Sequence, residues 1–417
     1  MKSIYDVTVI GGGPAGLAAA KGASSKGASV LIIERESLLG GILKQCIHDG
    51  FGLHRYHAPM TGPEYAEKEY QQLAPFSLDI STQTYVININ SMNDSFELLT
   101  TSRFGYRTIH TRNIILATGC RERTAKQVFI HGSRPAGIFT AGTAQYYINR
   151  MGYLPTKRCV ILGSGDVGLI MARRLTLEGA TVLGVFEAKN EPSGLTRNLH
   201  QCLEDFDIPL SLSTTVTRVF GEERLNAVEI AKVDSSMNPI RGTEKIIACD
   251  GLILSVGLIP ENEQAELINV QLDPSTHGPM ITQDFMTSVP GVYSAGNALQ
   301  VHDLVDYVSE GAECAGIAAA QTSRPIPMLI PIQKGSGLST LVPQHLNINL
   351  PYQNVISYFR VTRTYQNATL TIYVDDRPIL SKRYVRVRPP EMERLVVQYS
   401  ALSEASIIRW TLEGEIV

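Results

Sequence analysis

Two stretches of this chain, about 150 residues apart, are built to one plan, and that plan leaves few folds open. The first runs from Tyr5 through Val-Thr-Val-Ile into Gly11-Gly-Gly13-Pro14-Ala15-Gly16, then an alanine-rich stretch, then Ser29-Val-Leu-Ile-Ile-Glu34. A short β-branched run, a glycine turn, a helical stretch and a second β-branched run ending in an acid make a βαβ unit. Each glycine of the G-x-G-x-x-G turn has a physical job: Gly11 permits the tight turn, Gly13 lets backbone approach a pyrophosphate, and Gly16 lets helix and strand pack closely. The helix N-terminus then offers its unpaired N–H groups to phosphate, and Glu34, about 18 residues on, is placed to accept hydrogen bonds from a ribose. The second stretch is Lys157-Arg-Cys-Val-Ile-Leu-Gly163-Ser-Gly165-Asp-Val-Gly168, and its following strand, Ala180-Thr-Val-Leu-Gly-Val-Phe-Glu187, again ends in an acid. Two complete units in one chain mean two dinucleotides.

Between and after them lie the segments that would join the two. Ile114-Ile-Leu-Ala-Thr118-Gly119 reads as a buried strand ending in small residues, and Asp250-Gly-Leu-Ile-Leu-Ser-Val-Gly257 as its counterpart. Val289-Pro-Gly-Val-Tyr-Ser-Ala-Gly296-Asn297 precedes an alanine-rich helix expected from Leu304 to Gln321. Beyond Ser323 the composition changes, and runs at Val355, Ala368, Ile379 to Val387, Arg394 and Ile407 read as strands, with Asp375-Asp376-Arg377-Pro378 turning a hairpin. This tail reads as a β-sandwich of about 75 residues that carries no chemical motif. The expected fold is α/β, with two Rossmann-like three-layer domains and a small C-terminal all-β domain. The first domain is split around the second: residues 1–122 and 251–325 flank 123–250, and 326–417 form the tail.

Composition closes off other classes. A formal net charge of -3, with no dense Lys/Arg block, gives no footprint for nucleic acid. The six cysteines, Cys46, Cys120, Cys159, Cys202, Cys249 and Cys314, are far apart and none has zinc spacing, so neither a disulfide framework nor a metal site is expected. The apolar run Val7 to Ala20 is preceded by Asp6 and broken by Gly11, Gly12, Gly13 and Pro14, so it is neither a signal peptide nor a span; a cytoplasmic protein without a membrane span is expected.

With these motifs in place, roughly residues 1 to 325 resemble the two-dinucleotide-binding flavoproteins, the superfamily of glutathione reductase, thioredoxin reductase and NADH oxidases. The resemblance rests on Gly11 to Glu34, Ala117-Thr118-Gly119, Gly163 to Glu187 and Gly291 to Asn297. It implies FAD at the first unit, with Arg35, Gly41 and Val86 completing the flavin-nucleotide contacts, and a nicotinamide nucleotide at the second. Asn297 stands where those relatives carry Asp, and its amide can still hydrogen-bond a ribityl hydroxyl. Gly40-Gly-Ile-Leu-Lys-Gln-Cys46-Ile-His48-Asp-Gly-Phe-Gly, Cys120-Arg-Glu-Arg, Arg134-Pro-Ala-Gly-Ile-Phe-Thr and Val301-His302-Asp303-Leu-Val-Asp are similar to oxidoreductases that accompany glycerol-3-phosphate dehydrogenase. They are also similar to subunits of opine, hydroxyproline and sarcosine oxidising complexes. The resemblance therefore implies an oligomer or hetero-complex with a flavoprotein dehydrogenase or oxidase as partner.

Cysteine content restricts the chemistry. Only Cys46 lies in the stretch where glutathione-reductase relatives carry two cysteines, and no C-x-x-C lies between Lys157 and Asp250, so dithiol exchange is not expected. What remains is hydride transfer between nicotinamide and flavin, with the protein supplying stacking and electrostatics. Glu187 would bond a ribose 2′-OH and repel a 2′-phosphate, favouring NAD(H) over NADP(H), while Arg197 would blunt that preference. Cys46, His302 and Asp303 are the candidates for catalysis. Cys46 is open to a redox reading and to a packing one, and Cys120 to packing. The resemblance implies that the N-terminus of the helix after Leu304 points at the flavin, which would place His302 to tune it and Asp303 either to do the same or to cap that helix. His48, His54, His57 and Lys44 are further polar candidates in the same region. The expected activity is an FAD-dependent NAD(H) oxidoreductase serving as the electron-transfer subunit of a complex oxidising glycerol 3-phosphate or an amino-acid derivative. The alternatives are a stand-alone NADH oxidase or peroxidase using Cys46, and a non-catalytic flavoprotein subunit.

Overall fold

The computed structural model describes residues 2, 4–321, 327–350, 352–402 and 406–417. Two compact units emerge: one holds Met1–Cys120 and Pro260–Val417, the other Arg121–Ile259.

The first unit is organised by a sheet whose strands run in the order Asp79–Ser81, Val30–Ile33, Tyr5–Ile10, Gly105–Leu116, Phe96–Ser102, Thr84–Ser91. Val30–Ile33 and Tyr5–Ile10 are almost wholly buried because a parallel sheet is covered on both faces, which is why they read as continuous apolar runs. The long strand Gly105–Leu116 serves two neighbours along one edge: Phe96 pairs with Thr111, whereas Val292 pairs with Ile114. Helices Pro14–Ser24 and Val305–Ala319 pack backbone to backbone. A Cβ on Gly316 would run into the Ala19 carbonyl, and one on Gly22 into that of Glu313. The alanine-rich composition of both helices follows from that close approach.

The second unit has a five-stranded parallel sheet ordered Leu210–Ser211, Thr181–Phe186, Arg158–Leu162, Gly251–Leu254, Ile138–Thr140. A four-stranded sheet built on the antiparallel pair Thr214–Gly221 and Leu225–Lys232 completes it. Gly251–Leu254 lies beside Arg158–Leu162, with Cys159 opposite Gly251, so this strand belongs to the second unit. The expected boundary at 250/251 therefore shifts to the return at Pro260. Asp250 fixes the start of the strand by accepting from Thr156 Oγ1 (2.6 Å) and from the Arg158 amide (2.8 Å).

The tail is a pair of sheets, five strands ordered Leu329–Lys334 between His345–Asn347 and Ile408–Ile416, then Tyr365–Val374 and Arg377–Val387, against three, Leu338–Val342, Asn354–Val361 and Glu393–Gln398. Trp410, Phe359 and Leu370 lie in their shared core. The hairpin at Asp375-Asp376 forms as expected, both residues having positive φ, which Asp tolerates in such turns. The expected start of the tail at 326 falls outside the described residues. The tail is part of the first unit, and Gln283 exchanges two 2.8 Å hydrogen bonds with the Asn347 backbone.

Candidate functional site

In the first unit, Tyr5–Ile10 ends at Gly11, whose φ is 107° and where any Cβ would strike the Ala117 carbonyl. Gly16 packs its Cα against the Gly11 carbonyl, as the third glycine of the turn should. The helix Pro14–Ser24 starts with Gly13 as N-cap, Pro14 in its first turn and no side-chain cap. Its first N–H groups are therefore left to a ligand or water, and the helix dipole adds a partial positive charge there. Glu34 is 7% exposed and sits directly after Val30–Ile33; its Oε2 accepts from the Gly12 amide at 2.7 Å and its Oε1 from the Glu36 amide at 2.7 Å. Each carboxylate oxygen keeps a lone pair for a ribose hydroxyl.

Other expected residues gather at the same helix end. Gly41 lies over Gly13, a Cβ on it standing 3.0 Å from the Gly13 Cα, and Gly296 lies over Ala15 at 2.7 Å on the same measure. Thr118 donates to the Glu261 carbonyl (2.6 Å), and Gly119, with φ 78° and open space around it, accepts from the Glu261 amide (3.0 Å). The Asn297 side chain accepts from the His302 amide (3.0 Å) and donates to Cys120 Sγ (3.5 Å). Val86 is buried in the core with its carbonyl near Gln264 Nε2, so only its backbone can serve a ligand. Arg35 directs its guanidinium to Glu261 at 3.0 Å. A cradle that excludes Cβ atoms, an uncapped helix end and a buried acid fit a dinucleotide such as FAD.

The second unit repeats this construction. Gly163, φ 96°, abuts the Ser255 carbonyl, and a Cβ on Gly168 would meet Ser255 Cβ at 2.6 Å. Gly165 is the N-cap of Asp166–Leu177, again without a side-chain cap. Glu187, 6% exposed, accepts from the Ser164 amide (3.0 Å), Ser164 Oγ (2.6 Å), Ser193 Oγ (3.2 Å) and the Lys189 amide (3.0 Å). Arg197 is exposed on the short helix Thr196–Cys202.

The candidates for catalysis are held differently from one another. Cys46 follows the short turn Gly41–Gln45, its Sγ donates to the Ile42 carbonyl at 3.4 Å, and burial pushes its thiol up to about 12. None of the six cysteines forms a disulfide, and burial raises Cys159, Cys202, Cys249 and Cys314 as well. His302 Nδ1 lies 2.8 Å from the Gln300 carbonyl, which can only accept, so the proton sits on Nδ1 and Nε2 keeps its lone pair. Burial holds this imidazole down to about 4, with the Arg360 charge acting in the same direction. Asp303 does not cap the helix: Leu304 is the N-cap, and the Asp303 carboxylate is taken up by Arg360 and by the Met392 amide (2.6 Å). Lys44 pairs with Glu36 at 2.7 Å, and His54 donates its amide to Asp306 (3.1 Å). His48 lies against Phe51, with Nδ1 3.1 Å from the Asp49 carbonyl, and His57 adopts a positive φ in an exposed loop.

Sequence reasoning passed over Arg360, Tyr358, Arg394 and Glu310, which join the tail to the helix Val305–Ala319 and to the segment just before it. It also passed over Arg55, which sits between the fully buried Glu69 (2.5 Å) and Glu313 (2.7 Å). Among the described residues no cluster could hold a metal ion, and no helix is long and apolar enough to cross a membrane.

Residues 5–324 match the model of the pyridine nucleotide-disulphide oxidoreductases. A ferredoxin–NADP reductase of Lactiplantibacillus plantarum is 25% identical over 319 residues, covering 75% of this chain and 90% of the relative. A subunit of the opine oxidase of Agrobacterium tumefaciens is 23% identical over 343 residues, covering 78% of this chain and 64% of that protein. The thioredoxin reductase of T. acidophilum shares the fold with a TM-score of 0.61 at 23% identity, over 76% of this chain and 98% of that one. The chain thus belongs to the pyridine nucleotide-disulphide oxidoreductase family and is a flavin-dependent pyridine nucleotide oxidoreductase.

Proposed function

We propose that the chain carries hydride between NAD(H) and a bound FAD and acts as the electron-transfer subunit of a complex whose other flavoprotein oxidises a small metabolite, such as glycerol 3-phosphate or an amino-acid derivative. FAD would lie on the Gly11–Gly16 turn with Glu34 on its ribose and with Gly119, Gly296 and Asn297 along its length; when bound, it accepts a hydride and releases electrons singly or in pairs. The protein's own part is to fix both nucleotides. Glu187 holds the adenosine ribose of the second nucleotide and opposes a 2′-phosphate.

The observation that carries this reading is the cysteine set. No disulfide forms, and Cys46, the one thiol in the stretch expected beside the flavin, is held protonated by burial. Dithiol exchange needs a thiolate and a second sulfur, so this cysteine set supports an electron acceptor outside the chain. Likeness to a protein that is one subunit of an opine oxidase supports a partner in that role. The preference for NAD(H) over the NADP named for the ferredoxin reductases is supported by the buried Glu187 carboxylate, whose negative charge would oppose a 2′-phosphate beside it.

Affinity capture of the tagged full chain from its native source, followed by assay of the captured material for metabolite-driven NAD+ reduction, tests this role. Capture of a flavoprotein dehydrogenase with that coupled activity is the expected result. A chain recovered alone, whose NADH-reduced flavin is reoxidised by oxygen or peroxide at full turnover rate, would overturn it.

A further inference from the structure

The family match ends at residue 324, yet the chain continues into two β-sheets, and those sheets grip the part of the molecule that leads into the helix Val305–Ala319. Three pieces of the tail share the grip. From the strand Asn354–Val361, Arg360 pairs with the Asp303 carboxylate and donates to the Val301 carbonyl at 3.2 Å. The neighbouring Tyr358 presses its ring edge-on to His302, centroids 5.4 Å apart and planes at 78°, and its hydroxyl reaches Glu310 at 3.3 Å. From the turn before the sheet neighbour Glu393–Gln398, the Met392 amide donates to the second oxygen of Asp303 at 2.6 Å. From that strand, Arg394 makes a two-pronged bond to Glu310, 2.8 and 2.6 Å, further along the helix.

The gripped segment is also tied to the cradle. The His302 amide is held by Asn297, and Asn297 adjoins Gly296, which packs over Ala15 in the first turn of the glycine-cradle helix. A displacement of residues 301 to 304 is therefore felt at both ends, in the tail and in the cradle. A two-pronged Arg–carboxylate bond fixes direction as well as distance, which a lysine would not do.

We propose that Arg360 and Tyr358 are positioning residues for the flavin: through Asp303 and His302 they set where the 301–304 segment and the N-terminus of the helix Val305–Ala319 present their charge and dipole to it. The tail is then a working part of the redox site and not an appended module. The proposal rests on the reading that FAD occupies the first cradle.

The test is the midpoint potential of the bound flavin by dye equilibration, with its absorbance band and the thermal midpoint, in the full chain and in R360Q, R360K and D303N. R360Q leaves the Asp303 carboxylate without its counter-charge, which disfavours an electron-rich flavin. A potential lower by about 30 mV is expected, a tenfold change for a two-electron couple. D303N leaves the guanidinium uncompensated and shifts the potential upward by a similar amount, and R360K restores part of the R360Q loss. An R360Q protein with its flavin bound and with wild-type potential and absorbance overturns the proposal, even if its melting temperature falls. If R360Q does not fold, D303N decides: an upward shift supports the proposal and an unmoved potential overturns it. A wild-type protein that takes up no FAD overturns the flavin reading itself, and the proposal with it.

Discussion

Glu187 accepts both the amide and the hydroxyl of Ser164, at 3.0 and 2.6 Å, so the acid that ends one strand clamps the glycine turn that ends its neighbour. Glu34 makes the corresponding bond to the Gly12 amide at 2.7 Å in the other unit. Buried carboxylates at these points are already oriented before any nucleotide arrives, so little ordering is left to be done on binding.

The proposed preference for NAD(H) rests on Glu187. With Glu187→Ser the local negative charge is gone, and discrimination of kcat/KM for NADH against NADPH is expected to fall at least tenfold, about 1.4 kcal/mol. Steady-state flavin reduction with each nucleotide measures it. Unchanged discrimination would remove Glu187 from the specificity site.

Two glycines with similar backbone angles are expected to respond differently to alanine. Gly11 has φ 107° with the Ala117 carbonyl in the path of a Cβ, whereas Gly27 has φ 80° and open space. Gly27→Ala should cost about 1 kcal/mol and keep the flavin. Gly11→Ala should cost at least about 2 kcal/mol and lose it, as read from thermal midpoints and the absorbance of bound flavin.

Cys46 is expected to be dispensable for electron flow. A thiol at about 12 is ionised to roughly one part in 100,000 at pH 7, too little for a working nucleophile. Cys46→Ser should leave flavin reduction by NADH and turnover with an artificial acceptor within about twofold. Loss of turnover with retained flavin reduction would mark a redox cysteine.

Acid should weaken the fold through His302. Its folded-state value of about 4 lies below the unfolded 6.5, so between those pH values only the unfolded chain binds the proton. Stability therefore rises with pH across that window, and falling from pH 7 to 4 removes roughly 3 kcal/mol by this group. His345, lowered by burial, adds to the trend in the same direction. Denaturant titrations across pH should show a shallower slope for His302→Gln than for the wild type, and parallel slopes would exclude this assignment.

What was legible in the sequence was local. Gly11, Gly13, Gly16 and Glu34 lie within one βαβ unit, and so do Gly163, Gly165, Gly168 and Glu187, so spacing alone locates both cradles. Gly251–Leu254 was legible as a strand but not as to which sheet it joins, because a fully buried apolar run suits any parallel sheet. Asp303 and Arg360 are 57 residues apart, Glu310 and Arg394 84, and no local pattern announces such pairs. Asp303 could be read as a helix cap for the same reason: its partners, Arg360 on the strand Asn354–Val361 and Met392 in the turn before Glu393–Gln398, are remote in sequence.

Hydride delivery from the second nucleotide to the flavin is read most simply by anaerobic titration of the flavin-loaded protein with NADH and, separately, NADPH, following the oxidised-flavin absorbance. Stoichiometric bleaching by NADH, with NADPH at least tenfold slower, is the expected result. Absence of bleaching with either nucleotide would contradict the proposed hydride route.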